Sequence, residues 1–411
     1  MNKIDFLCAA AKAAAPCLAA TETEQKNKYL YAIADALLAN IDAILSANKS
    51  DIDACDKPSQ FIDRLRLTED RIKGIAEGVR QVADLEDPVG EVTDDRVLVN
   101  GLHIRKVRVP MGVVGIIYEA RPNVTVDTAA LCLKSGNVVI LRGSKDALQS
   151  NLCLVKIMQD AIVSCGGKRE YVQLIEDATH EGAHYFMKKS DCVDVLVPRG
   201  SAALIRSTVE NATIPVIETG VGNCHIYYDG TVDLDMAINV ILNAKTQRTS
   251  VCNACESLLI DQDAIKELPQ ILNSLHDAGV VIHGCKNTMQ CADFVVPASE
   301  DDWGREYLGM EISCKVVANV QEAVEHIAQY GSHHSDCILS DQADRVEYFL
   351  NRVDSAAVYH NASTRFTDGF EFGFGAELGI STQKLHARGP IGLKELTSYK
   401  YIVYGNGQIR K

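Results

Sequence analysis

The 411-residue chain is short of positive charge: Lys and Arg total 41 against 55 Asp and Glu, a formal charge of −14. No block of Lys or Arg interrupts that deficit. A surface this acidic repels nucleic acid and anionic lipid, so neither is an expected partner. A phosphate-bearing ligand must then be held by a few placed cations and backbone N–H groups. No run of about 18 uncharged apolar residues occurs, so no membrane-spanning helix is expected. Repeats and low-complexity linkers are also missing. The Ala-rich stretch from Leu7 to Ala20 lacks a basic lead and is interrupted by Lys12 and Pro16, so it does not read as a secretory signal.

The remainder is the composition of a soluble enzyme, 47% hydrophobic and 23% charged, long enough for two or three domains at about 100–200 residues each. Its 14 cysteines are dispersed through apolar segments such as Leu131-Cys132-Leu133 and Leu152-Cys153-Leu154. They read as free thiols serving as small buried residues in a reducing cytoplasm.

Up to about Glu86 the pattern is helical: Tyr29, Ile33, Ala36, Leu37, Ile41 and Ile44 recur at three- and four-residue steps. Val97 to Val109 alternates around Asn100-Gly101, a hairpin signal. From Gly112 onward, apolar strands alternate with amphipathic helices: strands at 113–118, 137–141, 171–175, 193–197 and 215–218, helices at 126–134, 147–164 and 202–209. A second such series runs from Ser257 to Leu339, and Thr397 to Tyr404 is a final strand. This is an α/β chain with parallel sheets covered on both faces. The terminal strand needs a partner, and the early hairpin, in this copy or another, is the natural one.

Four segments carry chemistry. Arg142-Gly143-Ser144-Lys145 follows a buried strand, where ligands of open α/β sheets sit; it suits a nucleotide phosphate or ribose, or is a solvated turn capped by Ser144. Gly200-Ser201 opens a helix whose N–H groups favour a pyrophosphate, or Ser201 is a plain cap. The usual G-x-G-x-x-G fingerprint is missing. Cys252-Asn253-Ala254-Cys255 reads as a thiolate nucleophile, a redox pair or a structural turn; with no second C-x-x-C or H-x-H arm, no metal is expected. Glu218 ends a strand as a helix cap, a salt-bridge partner or a general base, and His333-His334 are loop histidines that face opposite ways.

Taken in order, these segments resemble the aldehyde dehydrogenase superfamily. The likeness spans essentially the whole chain and is carried by Val109 to Thr125 (VPMGVVGIIYEARPNVT), Val251 to Ala254, Tyr330 to His334 and His386 to Pro390. Within the superfamily it points to the branch that reduces L-glutamyl 5-phosphate in proline biosynthesis. The resemblance implies two parallel-sheet α/β domains plus a small β-strand oligomerisation arm. Residues 1–96 and 110–224 would bind the nucleotide and 225–365 would form the catalytic domain. Residues 97–109 and 397–411 would form the arm, with 366–396 as a return segment and the active site in the cleft between the large domains.

The same resemblance makes Cys252 the nucleophile and Cys255 a bystander, and gives Asn123 as counterpart of the oxyanion-hole asparagine. It implies NADPH as cofactor, with Arg142 at the adenosine ribose beside Gly143, Ser144 and Lys145. Gly200 and Ser201 would lie at the pyrophosphate and Glu306 at the nicotinamide ribose. Glu119, Arg121, His333 and His334 are candidate substrate contacts, and Arg121 and Lys145 candidate phosphate-neutralising cations. Glu218 takes the place of a glutamate that activates water in hydrolytic relatives, a role a reductase must avoid. A homo-oligomer is expected, and a glutamate kinase is the protein partner to test for. The rival readings are a hydrolytic NAD(P)-dependent aldehyde dehydrogenase, a non-catalytic scaffold and a redox-sensing Cys252–Cys255 pair.

Overall fold

The computed structural model describes residues 2–410. The chain forms two compact units, one of Met1–Thr219, Gly373–Gly379 and Ile391–Lys411, the other of Gly220–Phe372 and Ile380–Pro390. The division falls a few residues before the boundary at 224 that the resemblance implies, and the expected return segment 366–396 is shared out between both units.

In the first unit the helices precede the sheet. Glu69–Asp84 shows why they form: Thr68 caps the first turn by accepting from the Arg71 N–H, Glu69 and Asp70 complement the helix dipole, and Ile72, Ile75, Ala76, Val79, Val82 and Ala83 make one buried stripe. A hairpin of β1 (Val92–Val97) and β2 (His103–Pro110) follows. Gly101 takes φ 84° in its turn, where an L-residue would be strained, and the Leu98 N–H donates to the Leu102 carbonyl at 2.8 Å. The first strand starts at Val92, not Val97 as expected, because Val92 pairs with Val107 across an irregular register.

Next come β3 (Val113–Tyr118), β4 (Val138–Arg142), β5 (Val172–Leu174) and β6 (Val195–Arg199), a parallel sheet in the order β5-β4-β3-β6. β3 and β4 are buried at every position, as a sheet covered on both faces requires. The strand expected at 215–218 does not form. Pro215 has no N–H, and only an isolated bridge between Leu196 and Val216 remains of it.

The second unit carries β7 (Cys224–Tyr228), β8 (Cys255–Asp261), β9 (Val281–Gly284), β10 (Val296–Pro297), β11 (Glu311–Val317), β12 (Ser335–Leu339) and β13 (Ala357–His360). They make one parallel sheet in the order β10-β9-β11-β8-β7-β12-β13. Ile226, Leu258, Ile260, Ile271, Leu272, Ile312 and Cys337 lie in its main core, each aliphatic side chain contributing about 2 kcal/mol by leaving water. β14 (Ile380–Ser381) and β15 (Gly389–Pro390) form a small antiparallel ladder of this unit.

β16 (Thr397–Tyr404) returns to the first unit, antiparallel to β2 from Thr397↔Pro110 to Tyr404↔His103. The hairpin therefore finds its third strand within the same chain. Among the described residues no single helix is long and apolar enough to cross a membrane.

Candidate active site

Cys252 sits half-buried in the turn between the helix Leu234–Thr246 and β8. Its backbone is held from several sides. The Cys224 thiol donates to the Cys252 carbonyl at 3.2 Å. Gly222 lies against the same carbonyl so closely that a Cβ there would overlap its oxygen, so only glycine fits. The buried Asn253 amide donates to the carbonyls of Thr367 at 2.9 Å and Arg365 at 3.3 Å, while the Asn253 carbonyl accepts from Thr364 Oγ1 at 2.8 Å. Arg365 Nη1 donates to Asn253 Oδ1. Cys255, by contrast, is fully buried in β8, and burial pushes its thiol up to about 12. A thiol in that state is neither an accessible nucleophile nor a ready redox partner.

Beneath the turn, Lys245 and Glu256 form an ion pair at 2.5 Å with both side chains fully buried. One comes from the last turn of the preceding helix and the other from the start of β8, so the pair brackets Cys252 in the sequence. Burial raises the Glu256 carboxyl, against the pull of Lys245. Glu256 also accepts from the Leu308 N–H at 3.3 Å, and Glu306 Oε1 accepts from the Gly222 N–H at 2.8 Å. Glu306, a sequence candidate for the nicotinamide ribose, is thereby brought to the Cys252 turn, with its carboxyl raised by burial.

The two histidines part company. His333 is exposed, with φ 60°, and its Nδ1 faces the Asp354 carbonyl at 2.7 Å. His334 is fully buried, its Nδ1 2.8 Å from Ser335 Oγ and 3.7 Å from the Cys224 thiol, and burial lowers it to about 4. It is a neutral interior residue beneath the Cys252 turn. It lies in the bend before β12, a loop position as read, but its burial leaves it no surface for a substrate contact. Arg388, from the last motif, forks onto Asp354 at 2.9 and 2.7 Å.

In the first unit, Ser201 accepts from the Leu204 N–H, capping the helix Ala202–Asn211, and donates to Glu119 Oε1 at 2.6 Å. Gly200 and Ser201 are exposed at the carboxyl end of β6, and a Cβ on Gly200 would lie 2.7 Å from Glu119 Cδ. This helix start is open enough to fit a nucleotide pyrophosphate. The other cationic turn is more occupied by its own fold. Arg142 is the buried last residue of β4, its Nη2 donating to the Thr179 carbonyl at 2.6 Å; its Nε is buried with no partner among the described residues.

Gly143 is buried against Asn151 and Tyr118, so its smallness serves internal packing and not a close ligand approach. Ser144 caps the short turn by accepting from the Asp146 N–H, and Asp146 pairs with Lys57 at 2.6 Å. Lys145 and Arg121 are exposed. Asn123 is half-buried and gives one amide N–H to Asp127 at 3.0 Å; burial raises that carboxyl to about 6. Glu218 is half-buried.

The aldehyde dehydrogenase family model matches residues 1–290. A gamma-glutamyl phosphate reductase of Clostridium perfringens is 53% identical over 404 residues, covering 97% of both chains. One from a Geobacillus species is 50% identical over the full length of both. The crystal structure of the gamma-glutamyl phosphate reductase of Thermotoga maritima superposes with a TM-score of 0.98 at 45% identity, covering all of both chains. The chain belongs to the aldehyde dehydrogenase family, among its gamma-glutamyl phosphate reductases.

Membership of the aldehyde dehydrogenase family agrees with the α/β fold and with the resemblance read from the motifs. Sequence reasoning missed Gly222, Cys224 and Arg365, which touch the Cys252 turn from positions remote in the chain. Only Gly222 left a trace, as a second glycine shortly after Glu218-Thr219-Gly220.

Proposed function

We propose that this protein reduces L-glutamyl 5-phosphate to L-glutamate 5-semialdehyde with NADPH, releasing phosphate, through a thioester on Cys252. The observation that carries it is the Cys252 turn, pinned through Gly222, Cys224 and Asn253, in a chain belonging to the gamma-glutamyl phosphate reductases.

The Cys252 thiolate attacks the acyl carbon. The bond from that carbon to the phosphate oxygen breaks with its electron pair, and phosphate departs as a stable anion, so little acid assistance is needed. Asn123 keeps one amide N–H beyond the one it gives Asp127, the donor that a tetrahedral oxyanion requires. When bound, the nicotinamide supplies the hydride. The Ala202–Asn211 helix start with Gly200 and Ser201 would hold its pyrophosphate, and Glu306 its ribose; Arg142 is the residue for the adenosine side. Fixing the Cys252 carbonyl orients the thiolate and, later, the thiohemiacetal that collapses to the aldehyde.

The acyl phosphate has to come from an enzyme that phosphorylates a γ-carboxylate, which keeps a glutamate kinase as the expected supplier. The exposed Tyr399, Tyr401 and Val403 on β16 are the face proposed to meet another copy of the chain. The free cysteines fit work in a reducing cytoplasm.

The test runs the reaction backwards, avoiding the labile acyl phosphate. NADPH formation from glutamate 5-semialdehyde should require inorganic phosphate and vanish in Cys252→Ala. Phosphate-independent formation of free acid would instead establish the hydrolytic dehydrogenase, with Glu218 as its base.

A further inference from the structure

The nucleophile turn carries two arginines that the mechanism above does not use. Arg365 closes the turn: its Nε donates to Gln247 Oε1 at 2.8 Å and its Nη1 to Asn253 Oδ1, so one guanidinium spans the turn on both sides of Cys252. Arg248 is the neighbour of Gln247 in the same turn and is exposed. Both hydrogen-bond partners of the Arg365 guanidinium are neutral amides. Among the described residues neither arginine forms an ion pair with a carboxylate, although the chain as a whole has a large excess of acid.

A half-buried guanidinium whose hydrogen bonds go to neutral amides, with Asp368 as the nearby carboxylate and a second cation also acting on it, is a costly arrangement. Burial first, and the Arg248 charge second, hold the Arg365 guanidinium below its ordinary value; Asp368 and the thiolate forms of Cys252 and Cys224 draw it back up. Arg365 therefore lies within electrostatic range of both Arg248 and Cys252, and Arg248 stands four residues before Cys252 in the chain. The N–H groups of Arg365 not given to Gln247 and Asn253 remain as a planar donor set suited to an oxyanion.

We propose that Arg248 and Arg365 form an anion-binding pair beside Cys252 that recognises a charged oxygen group of the substrate, the phosphoryl group or the terminal carboxylate. This rests on the reading of Cys252 as the nucleophile for an acyl phosphate. It shifts the anion contacts from the exposed Arg121 and Lys145 of the first unit to the nucleophile's own turn. It also means that an anionic substrate completes the charge balance that the free protein leaves open.

The test does not depend on turnover. Iodoacetate and iodoacetamide alkylate the same thiolate with loss of iodide but differ in charge, and peptide mass spectrometry reads the modification at Cys252 alone. In the intact protein iodoacetate should be favoured relative to its ratio on a free thiol, and inorganic phosphate should protect. Arg365→Gln and Arg248→Gln should each lower the iodoacetate-to-iodoacetamide ratio by about five-fold or more, with Arg365→Lys retaining most of it. Arg248 is exposed, so its variant reads the charge even if Arg365→Gln folds poorly.

Reverse kinetics then separate the sources. A raised KM for phosphate assigns the phosphoryl group, and a raised KM for the semialdehyde assigns the carboxylate. An unchanged alkylation ratio in both glutamine variants would overturn the proposal. Because alkylation needs no substrate, a failure of the reductase reading would appear separately, as absence of phosphate-dependent turnover with the ratio intact.

Discussion

On one side of Ala254 the chain is an open turn; on the other it is the first residue of a buried strand. Cys252 and Cys255 are three residues apart and carry the same side chain, yet the structure gives them different surroundings, half-buried and fully buried. The turn is short of regular hydrogen bonds and is fastened by long-range contacts: Gly222 and Cys224 on the Cys252 carbonyl, Arg365 and Thr367 on Asn253. The strand pairs with β11 from Ser257 onward and with β7 across a register shift at Cys255, and it excludes water, so the Cys255 thiol is held protonated and donates to the Ser257 carbonyl at 3.4 Å. Exposure of the two thiols follows from where the strand begins, and the Lys245–Glu256 pair lies close to that border.

Disturbing the border should have the largest effect. Lys245→Met leaves Glu256 buried without its partner and should lower the unfolding free energy by about 3–5 kcal/mol in denaturant titration, with Lys245→Met/Glu256→Leu recovering much of it. Next, Gly222→Ala drives a Cβ into the Cys252 backbone, so the turn must move. It should reduce kcat by about 100-fold, since a displacement of about 1 Å suffices for such a loss, and lower the melting temperature as well.

A third expectation concerns the layer under the turn. Buried His334 titrates near 4 when folded, against 6.5 for an ordinary imidazole. Between those values the unfolded chain binds a proton that the folded chain refuses, so the stability present above pH 6.5 is lost as pH falls towards 4. The unfolding free energy should drop by on the order of 2 kcal/mol between pH 7 and pH 5, and His334→Asn should remove that part of the slope. Least affected is Cys255→Ser, which keeps a donor for Ser257 and should hold kcat within about two-fold. A large activity loss there would break the comparison and revive the redox pair.

The pattern of apolar strands and amphipathic helices was legible because a fully buried parallel sheet writes its periodicity locally: β3, β4 and β16 lie almost where alternation and apolar runs put them. Asn100-Gly101 likewise marks a hairpin through its own backbone requirement. Position 215–218 misled because Pro215 removes a ladder donor that the apolar run promised.

For the site, Cys252 was visible as an accessible residue in a polar segment. The choice between Arg142 to Lys145 and Gly200-Ser201 was not visible. Both follow strands, and only the fold shows that Arg142 donates to Thr179 and that Gly143 is filled by Asn151, whereas Gly200 and Ser201 stay exposed. Arg365 was invisible for a related reason: its contact with Asn253 joins segments over a hundred residues apart.

The most direct measurement is to find which cysteine carries the acyl group. The protein is mixed with glutamate 5-semialdehyde and NADP+ without phosphate, quenched in acid, and its peptides are mapped by mass spectrometry. The account predicts a glutamyl thioester on Cys252, accompanied by a burst of reduced cofactor and discharged when phosphate is added. An acyl group on Cys255, or phosphate-dependent turnover surviving in Cys252→Ala, would contradict it.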